Sequence, residues 1–286
     1  MIRIAQPAPR VDLEEYKRRV FSTIRRHRLV EMGVVVYVAV SGGKDSCAAL
    51  ALLKMYVEES RIDAVVKAFH INLGFGYSAR VEEVAKAQAD ALGVELRVVN
   101  ALDYLDILKA AKAAGRPVCS VCGALKRYLM NKVPRELGAT KVATGHHMYD
   151  FLSYYFRNLA GGHYQWNFKI VPRVEGAGPL LTKIRPLIYA RPEENEAFCR
   201  RLGLSFNEVC CEFGLCGAAH LEVYEMMKAA RRRDPDFDLR LMRGVVEFNL
   251  RHGVRPADVK RCKICGEPAS GEVCAVCKLR AIVNRA

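Results

Sequence analysis

Apolar positions along this chain change period in an ordered way. Tyr16, Val20 and Ile24 follow Leu13 at helical spacing, a stripe that the pattern carries as far as Met32. Asp12 and Glu15 form a capping box at its start, each side chain facing a free amide of the first turn. Gly33 ends this helix. Residues 34–40, VVVYVAV, are an unbroken and mostly β-branched apolar run, as in a strand of a parallel sheet covered on both faces. SGGKDS comes next, then a helix beginning CAALALL. The alternation continues with a strand over 64–71, a glycine-rich loop, a helix over 78–92, a strand over 95–100 and a helix over 103–114. A fourth strand, 141–145, is entered from the helix that carries CSVCGALKR. From 192 onward the period is helical (192–202, 218–231, 237–252), until Arg255-Pro256 breaks it before a short tail.

Strands alternating with helices predict an α/β fold with a doubly wound, mostly parallel sheet. Ligands on such sheets lie beyond the carboxyl ends of the strands, where SGGKDS, HINLG and TGHH fall. Four regions are expected: an N-terminal helix (1–32), a catalytic domain (33–217), a basic helical region (218–258) and a C-terminal metal module (259–286).

Composition changes this picture in three respects. No apolar run of the 286 residues approaches the ~20 needed for a membrane span, and MIRIAQPAPR lacks a signal peptide's apolar core. The expectation is a cytoplasmic protein without membrane contact. The 11 cysteines are an odd number, and in a reducing compartment short cysteine spacings point to metal or chemistry rather than disulfides. The net charge of +14 points to a polyanionic partner such as nucleic acid. Lys228, Arg231, Arg232, Arg233, Arg240 and Arg243 concentrate that charge in the helical half, although a solvated helix face accounts for any one of them. Aromatic residues, 8% of the chain, are too scattered to outline a base-stacking platform.

SGGKDS lies between a buried strand and a helix. Gly42 and Gly43 let backbone amides approach a polyphosphate, Ser41 and Ser46 add hydroxyls, and the helix N-terminus adds partial positive charge. The spacing is not that of a Walker loop. Lys44 favours phosphate, whereas Asp45 repels it unless Mg²⁺ lies between them. A serine-capped turn explains the glycines but not Lys44 and Asp45.

VAVSGGKDS resembles the PP-loop of ATP pyrophosphatases, which cleave ATP to AMP and pyrophosphate while adenylating a substrate oxygen. Over residues 15 to 280 the chain is similar to the tRNA 2-thiolation enzymes of the TtuA/TtcA/Ncs group, through VAVSGGKDS, HINLGFGYS, CSVCGALKR, ATGHHMYD, RPLIYARPEENEAF and four terminal cysteines. The resemblance implies ATP contacts at Ala39, Ser41, Gly42, Gly43, Lys44, Asp45, Ser46, His70 and Gly145. It also implies catalytic roles for Asp45, Lys126 and Asp150. Tyr149 stands where the family has another acid, and His147 where it often has Asn.

The isolated pair Cys119 and Cys122 cannot by itself fill a tetrahedral metal shell. Spacing alone leaves metal binding, a redox dithiol and buried core cysteines open. The resemblance implies a [4Fe-4S] cluster on this pair and one distant cysteine, with one iron left free to present sulfur. The helix start is expected to favour the thiolates. Among Cys210, Cys211 and Cys216, Cys211 best matches the family position. Cys47 and Cys199 read as core residues.

Cys262, Cys265, Cys274 and Cys277 form CxxC-x8-CxxC, a set that closes a tetrahedral Zn²⁺ site and replaces a hydrophobic core in a short segment. Zinc loss is expected to unfold the tail alone. The reading is an ATP-dependent tRNA sulfurtransferase using ATP, Mg²⁺, a [4Fe-4S] cluster and zinc. Its expected partners are tRNA, a ubiquitin-like sulfur carrier and a second copy of the chain. The rivals are a lysidine-synthetase-like PP-loop ligase and a zinc-ribbon tRNA-binding paralogue without catalysis, the latter suggested by Tyr149.

Overall fold

The computed structural model describes residues 11–208, 211–213, 218–253 and 259–285. Six strands form one sheet in the order β3-β2-β1-β4-β6-β5. They are β1 (Val35–Ala39), β2 (Val65–Asn72), β3 (Leu96–Asn100), β4 (Lys141–Thr144), β5 (Arg173–Val174) and β6 (Thr182–Ile184). Every pairing is parallel except that of β5 with β6. The doubly wound sheet is therefore as the apolar runs predict. β5 and β6, two and three residues long, are too short to leave a periodic signal.

On one face, α2 (Lys44–Ser60) is buried along its apolar middle, with α1 (Leu13–Arg26) and α7 (Pro192–Arg201) packed over it. Helix α1 stops six residues short of the expected end. Arg28 takes a left-handed φ of 48°, Leu29 and Val30 enter the core from a loop, and Met32 is 80% exposed. The capping box is half made. Asp12 Oδ1 accepts from the Glu14 and Glu15 amides at 3.0 Å, while Glu15 reaches forward to Arg19.

The other face carries α4 (Ile107–Ala113) and α5 (Val118–Glu136). The expected helix over 103–114 is divided, with a 3-10 turn at Ala101–Asp103 preceding α4. Asn100 and Asp106 each cap one of these pieces through a side-chain oxygen. A third core joins α6 (Met148–Ala160), α8 (Ala218–Arg231) and α9 (Phe237–His252). The expected end at Arg255-Pro256 lies outside the described residues.

The tail folds as a hairpin of β7 (Lys260–Arg261) and β8 (Pro268–Ala269), followed by α10 (Ala275–Val283). It is not a free appendage. Cys262, Cys274, Val276, Cys277 and Leu279 share a core with Val121, Leu125 and Leu129 of α5. Arg280 Nε donates to the Tyr104 carbonyl at 2.6 Å, and buried Glu267 is held by Arg135 and Asn131 of α5.

Candidate active site and metal centres

The PP-loop closes β1 onto α2. Gly42 has φ +75°, and a Cβ there would lie 2.9 Å from Val81 Cγ1 and 3.0 Å from its carbonyl oxygen. Only glycine fits both conditions. Ser46 Oγ braces the turn, accepting from the Ser41 amide and meeting Ser41 Oγ, each at 3.0 Å. Gly43, the residue before α2, makes no side-chain cap, which leaves amides of the first turn free for a phosphate. Gly145 packs against this turn, and a Cβ on it would lie 2.5 Å from the Ser46 nitrogen.

Asp45 is held on two sides. Asn195 Nδ2 donates to its Oδ1 at 2.8 Å, and Lys44 Nζ donates to its Oδ2 at 2.8 Å. The buried Tyr16 hydroxyl fixes Asn195 by donating to Oδ1 at 2.6 Å. Asn195 belongs to the RPEENEAF stretch, but pattern and spacing give it no role. Only the fold brings α1, α2 and α7 together.

His147 Nε2 lies 3.9 Å from Asp45 Oδ2, 3.7 Å from Asp150 Oδ2 and 3.0 Å from the Tyr224 hydroxyl. The two carboxylates thus converge on one imidazole beside the phosphate loop. Asp150 also caps α6, accepting from the His147 amide at 3.0 Å. Mg²⁺ is commonly held by one or two carboxylates together with substrate phosphates, and this pair fits such a site.

Tyr149 is fully buried. Its hydroxyl donates to Asp238 Oδ2 at 2.8 Å and accepts from Arg231 at 3.1 Å. Arg191 completes the network, with Nη2 2.8 Å from Asp238 Oδ1. Tyr149 ties α6 to α8 and α9, so its presence says nothing against catalysis.

A pocket opens at the carboxyl ends of β1 and β2, lined by Ala39, Ser41, His70, Tyr77 and Lys126. His70 Nδ1 donates to the Val40 carbonyl at 2.8 Å, leaving its buried Nε2 as an acceptor without a partner among the described residues. Burial pushes the His70 pKa down, so the ring stays neutral.

Cys119, Cys122 and Lys126 occupy successive turns of α5, and the cysteine pair lies at its start, as expected. Cys119 Sγ donates to the Phe213 carbonyl at 2.9 Å, and Phe213 packs edge-on against Phe75 at 5.4 Å. Burial, and then nearby Cys211, push the Tyr77 pKa up. Cys211 and Cys119 lie near enough to Cys122 to affect its charge, while Cys210 and Cys216 lie outside the described residues. The expectation that the helix start favours both thiolates fails for Cys122. Burial pushes its thiol pKa up, Lys126 opposes this, and neighbouring Cys211 and Cys119 add to it. A cation beside these sulfurs would relieve that cost. Iron is such a cation, and thiols are the donors it takes in a cluster.

Cys262, Cys265, Cys274 and Cys277 bring their sulfurs within 4.8 Å of one another, the spacing of a single ion. Burial works against the Cys262 thiolate, but amides of Cys274, Cys265 and Ile264 outweigh it and bring its pKa down to about 6. Burial and neighbouring thiols push Cys277 the other way. Four thiols crowded in this manner suit a divalent cation. The Cys274→Ala/Cys277→Ala protein should lose about one zinc per chain, read by elemental analysis. Because the ribbon shares its core with α5, amide exchange should also rise over 121–129; the packing replaces the expectation that the tail alone unfolds. Zinc retained by this variant would exclude the site.

The family model for the PP-loop domain matches residues 16–209. The tRNA-5-methyluridine(54) 2-sulfurtransferase of Pyrococcus horikoshii is 31% identical, over 93% of this chain and 84% of its own. This chain belongs to the PP-loop tRNA 2-sulfurtransferases. The tRNA-cytidine(32) 2-sulfurtransferase of Geobacter metallireducens is 30% identical over 85% of this chain and 94% of its own. Among solved structures, the U34-tRNA thiolase NcsA from Methanococcus maripaludis, with its [4Fe-4S] cluster, aligns at TM-score 0.78. It is 25% identical and covers 94% of this chain and 87% of its own. Among the described residues, no helix is long and apolar enough to cross a membrane.

Proposed function

We propose that this PP-loop enzyme adenylates the 2-carbonyl oxygen of a tRNA pyrimidine and replaces that oxygen with sulfur. The observation that carries the reading is helix α5. It presents Cys119 and Cys122 at one end and Lys126 one turn later, inside the pocket that Ala39, Ser41 and His70 line. Sulfur-holding and ATP-holding groups thus lie along a single rigid element.

In this reading the PP-loop amides and hydroxyls hold the ATP phosphates, and the β1–β2 pocket takes the nucleoside. Asp45 and Asp150 would hold Mg²⁺, which would lower the charge on the phosphates. The base oxygen attacks the α-phosphorus and pyrophosphate leaves. Lys126 offsets the negative charge that develops there. Sulfur then enters at C2, and the former base oxygen departs with AMP. Cys119, Cys122 and Cys211 would hold a [4Fe-4S] cluster, which would supply an iron site for sulfide-level sulfur received from free sulfide or a ubiquitin-like carrier. The terminal cysteine quartet holds zinc.

The relatives' names give three positions, 54, 32 and 34, and the chemistry they share is the pyrimidine 2-carbonyl. A lysidine-type ligase would leave the three converging thiols without use, and a non-catalytic paralogue would leave the Asp45–Asn195–Tyr16 chain without use. With ATP, Mg²⁺ and tRNA the protein should release AMP and pyrophosphate, faster than without tRNA. Product analysis checks this, and ADP in place of AMP would refute it.

A further inference from the structure

Outside the catalytic pocket, a second cleft of about 480 Å³ opens between α5, β6 and the cysteine tail. Arg127, Lys169 and Lys183 line it, and Arg185 stands beside them. No described carboxylate pairs with any of the four cations, whereas Arg231 and Arg240 of the basic helices are tied to Glu193 and Asp234. Arg185 is fixed by two carbonyls, those of Lys169 and Val171, and lies 4.8 Å over the Phe151 ring. Burial, and then Arg185, Lys169 and Arg127, push the Lys183 pKa down. Such a cluster repels itself until an anion enters.

The wall of the cleft continues into an exposed aromatic surface. Lys169 ends the 3-10 helix Tyr164–Lys169, in which residues three apart share a side. His163, Trp166 and Lys169 fall at that spacing. Trp166 is 56% exposed and stacks on His163, with ring centroids 4.3 Å apart and an interplanar angle of 22°. Tyr164 is 64% exposed beside it. Aromatic scarcity in the composition hid this local cluster, which the sequence analysis excluded. A stacked, exposed indole next to unpaired cations suits an unpaired nucleotide, with the base on the ring and the phosphate on the ammonium groups.

We propose that the Tyr164–Lys169 turn and the adjoining cleft dock the tRNA strand, stacking one unpaired base on Trp166 and seating a neighbouring phosphate among Lys169, Lys183 and Arg127. This rests on the tRNA thiolation reading. The location suits it, because Arg127 adjoins Lys126 and Lys183 is close enough to His146 to disfavour its charged form. A strand held here delivers a nearby nucleotide to the catalytic pocket, while ATP keeps its own site on the PP-loop.

Trp166 is the only tryptophan, so fluorescence excited where tyrosine does not absorb reports on this surface alone. In the full-length protein, tRNA should quench it and ATP should not. Trp166→Ala should weaken tRNA binding about tenfold, and Trp166→Phe should restore most of it. Lys169→Glu, at an exposed position, should weaken binding and lower the slope of log K against log salt by about one. Both variants should retain zinc and ATP binding, which shows that they fold. Unchanged affinity and slope in Trp166→Ala and Lys169→Glu, with wild-type protein binding tRNA, would overturn the docking site and leave the thiolation reading standing. Absence of tRNA binding by the wild-type protein would overturn both. If Lys169→Glu binds tRNA normally but fails only with carrier-delivered sulfur and not with sulfide, the surface serves a protein, and the proposal is wrong.

Discussion

Isolated without oxygen, the Cys211→Ala protein should be colourless and should not thiolate tRNA, while the wild-type protein is brown. Two donors on α5 cannot hold a cluster by themselves, and the structure brings a third thiol to them from a segment far along the chain. The Cys119–Phe213 hydrogen bond and the Phe75–Phe213 ring contact seat that segment against the loop after β2, where Tyr77 lies near Cys211. Losing an outer partner of a metal ligand costs roughly 10- to 100-fold, so loss of a ligand should cost more and take thiolation to background. Exchange of pyrophosphate into ATP should persist, because Cys211 is not part of the PP-loop. Cys210→Ala and Cys216→Ala should keep colour and activity. Bleaching by Cys216→Ala and not by Cys211→Ala would transfer the third ligand to Cys216. Normal thiolation by a variant lacking Cys119, Cys122 and Cys211 would end the cluster account.

The Asp45→Ala protein should lose about 100- to 1000-fold in adenylation rate. Its carboxylate is set in place from both sides, by Asn195 and by Lys44, and faces Asp150 across His147. Without it the phosphates keep their amides but lose the carboxylate that, in the proposed reading, would position Mg²⁺. Affinity for tRNA should stay close to that of the wild type and remain salt-dependent. Asn195→Ala should cost less, because the carboxylate stays and only its orientation loosens. Pyrophosphate release at saturating ATP measures both. An Asp45→Ala rate within a few-fold of wild type would remove Asp45 from the reaction.

The parallel sheet was legible because apolar runs of five to eight residues alternate with helical periods, and buried parallel strands have that signature. SGGKDS was legible because phosphate chemistry constrains neighbouring residues. What the sequence concealed were contacts between distant segments. Asn195 reads as an ordinary helix residue until α7 packs on α2. Tyr149 reads as a lost acid until Asp238 and Arg231 meet its hydroxyl. The tail reads as a separate knuckle, because nothing in CxxC-x8-CxxC shows that its cysteines share a core with Leu125 and Leu129. The end of α1 was misplaced because Leu29, Val30 and Met32 extend the apolar stripe, while the left-handed Arg28 breaks the backbone.

The central claim is that the target base's own oxygen is the atom that ATP activates. Labelling the 2-carbonyl of the target pyrimidine with ¹⁸O, and analysing AMP by mass spectrometry after one turnover, tests it directly. The account predicts one ¹⁸O in the phosphate of each AMP formed, in step with the thiolated tRNA. Thiolated tRNA accompanied by unlabelled AMP, with the ¹⁸O found in water, would contradict it.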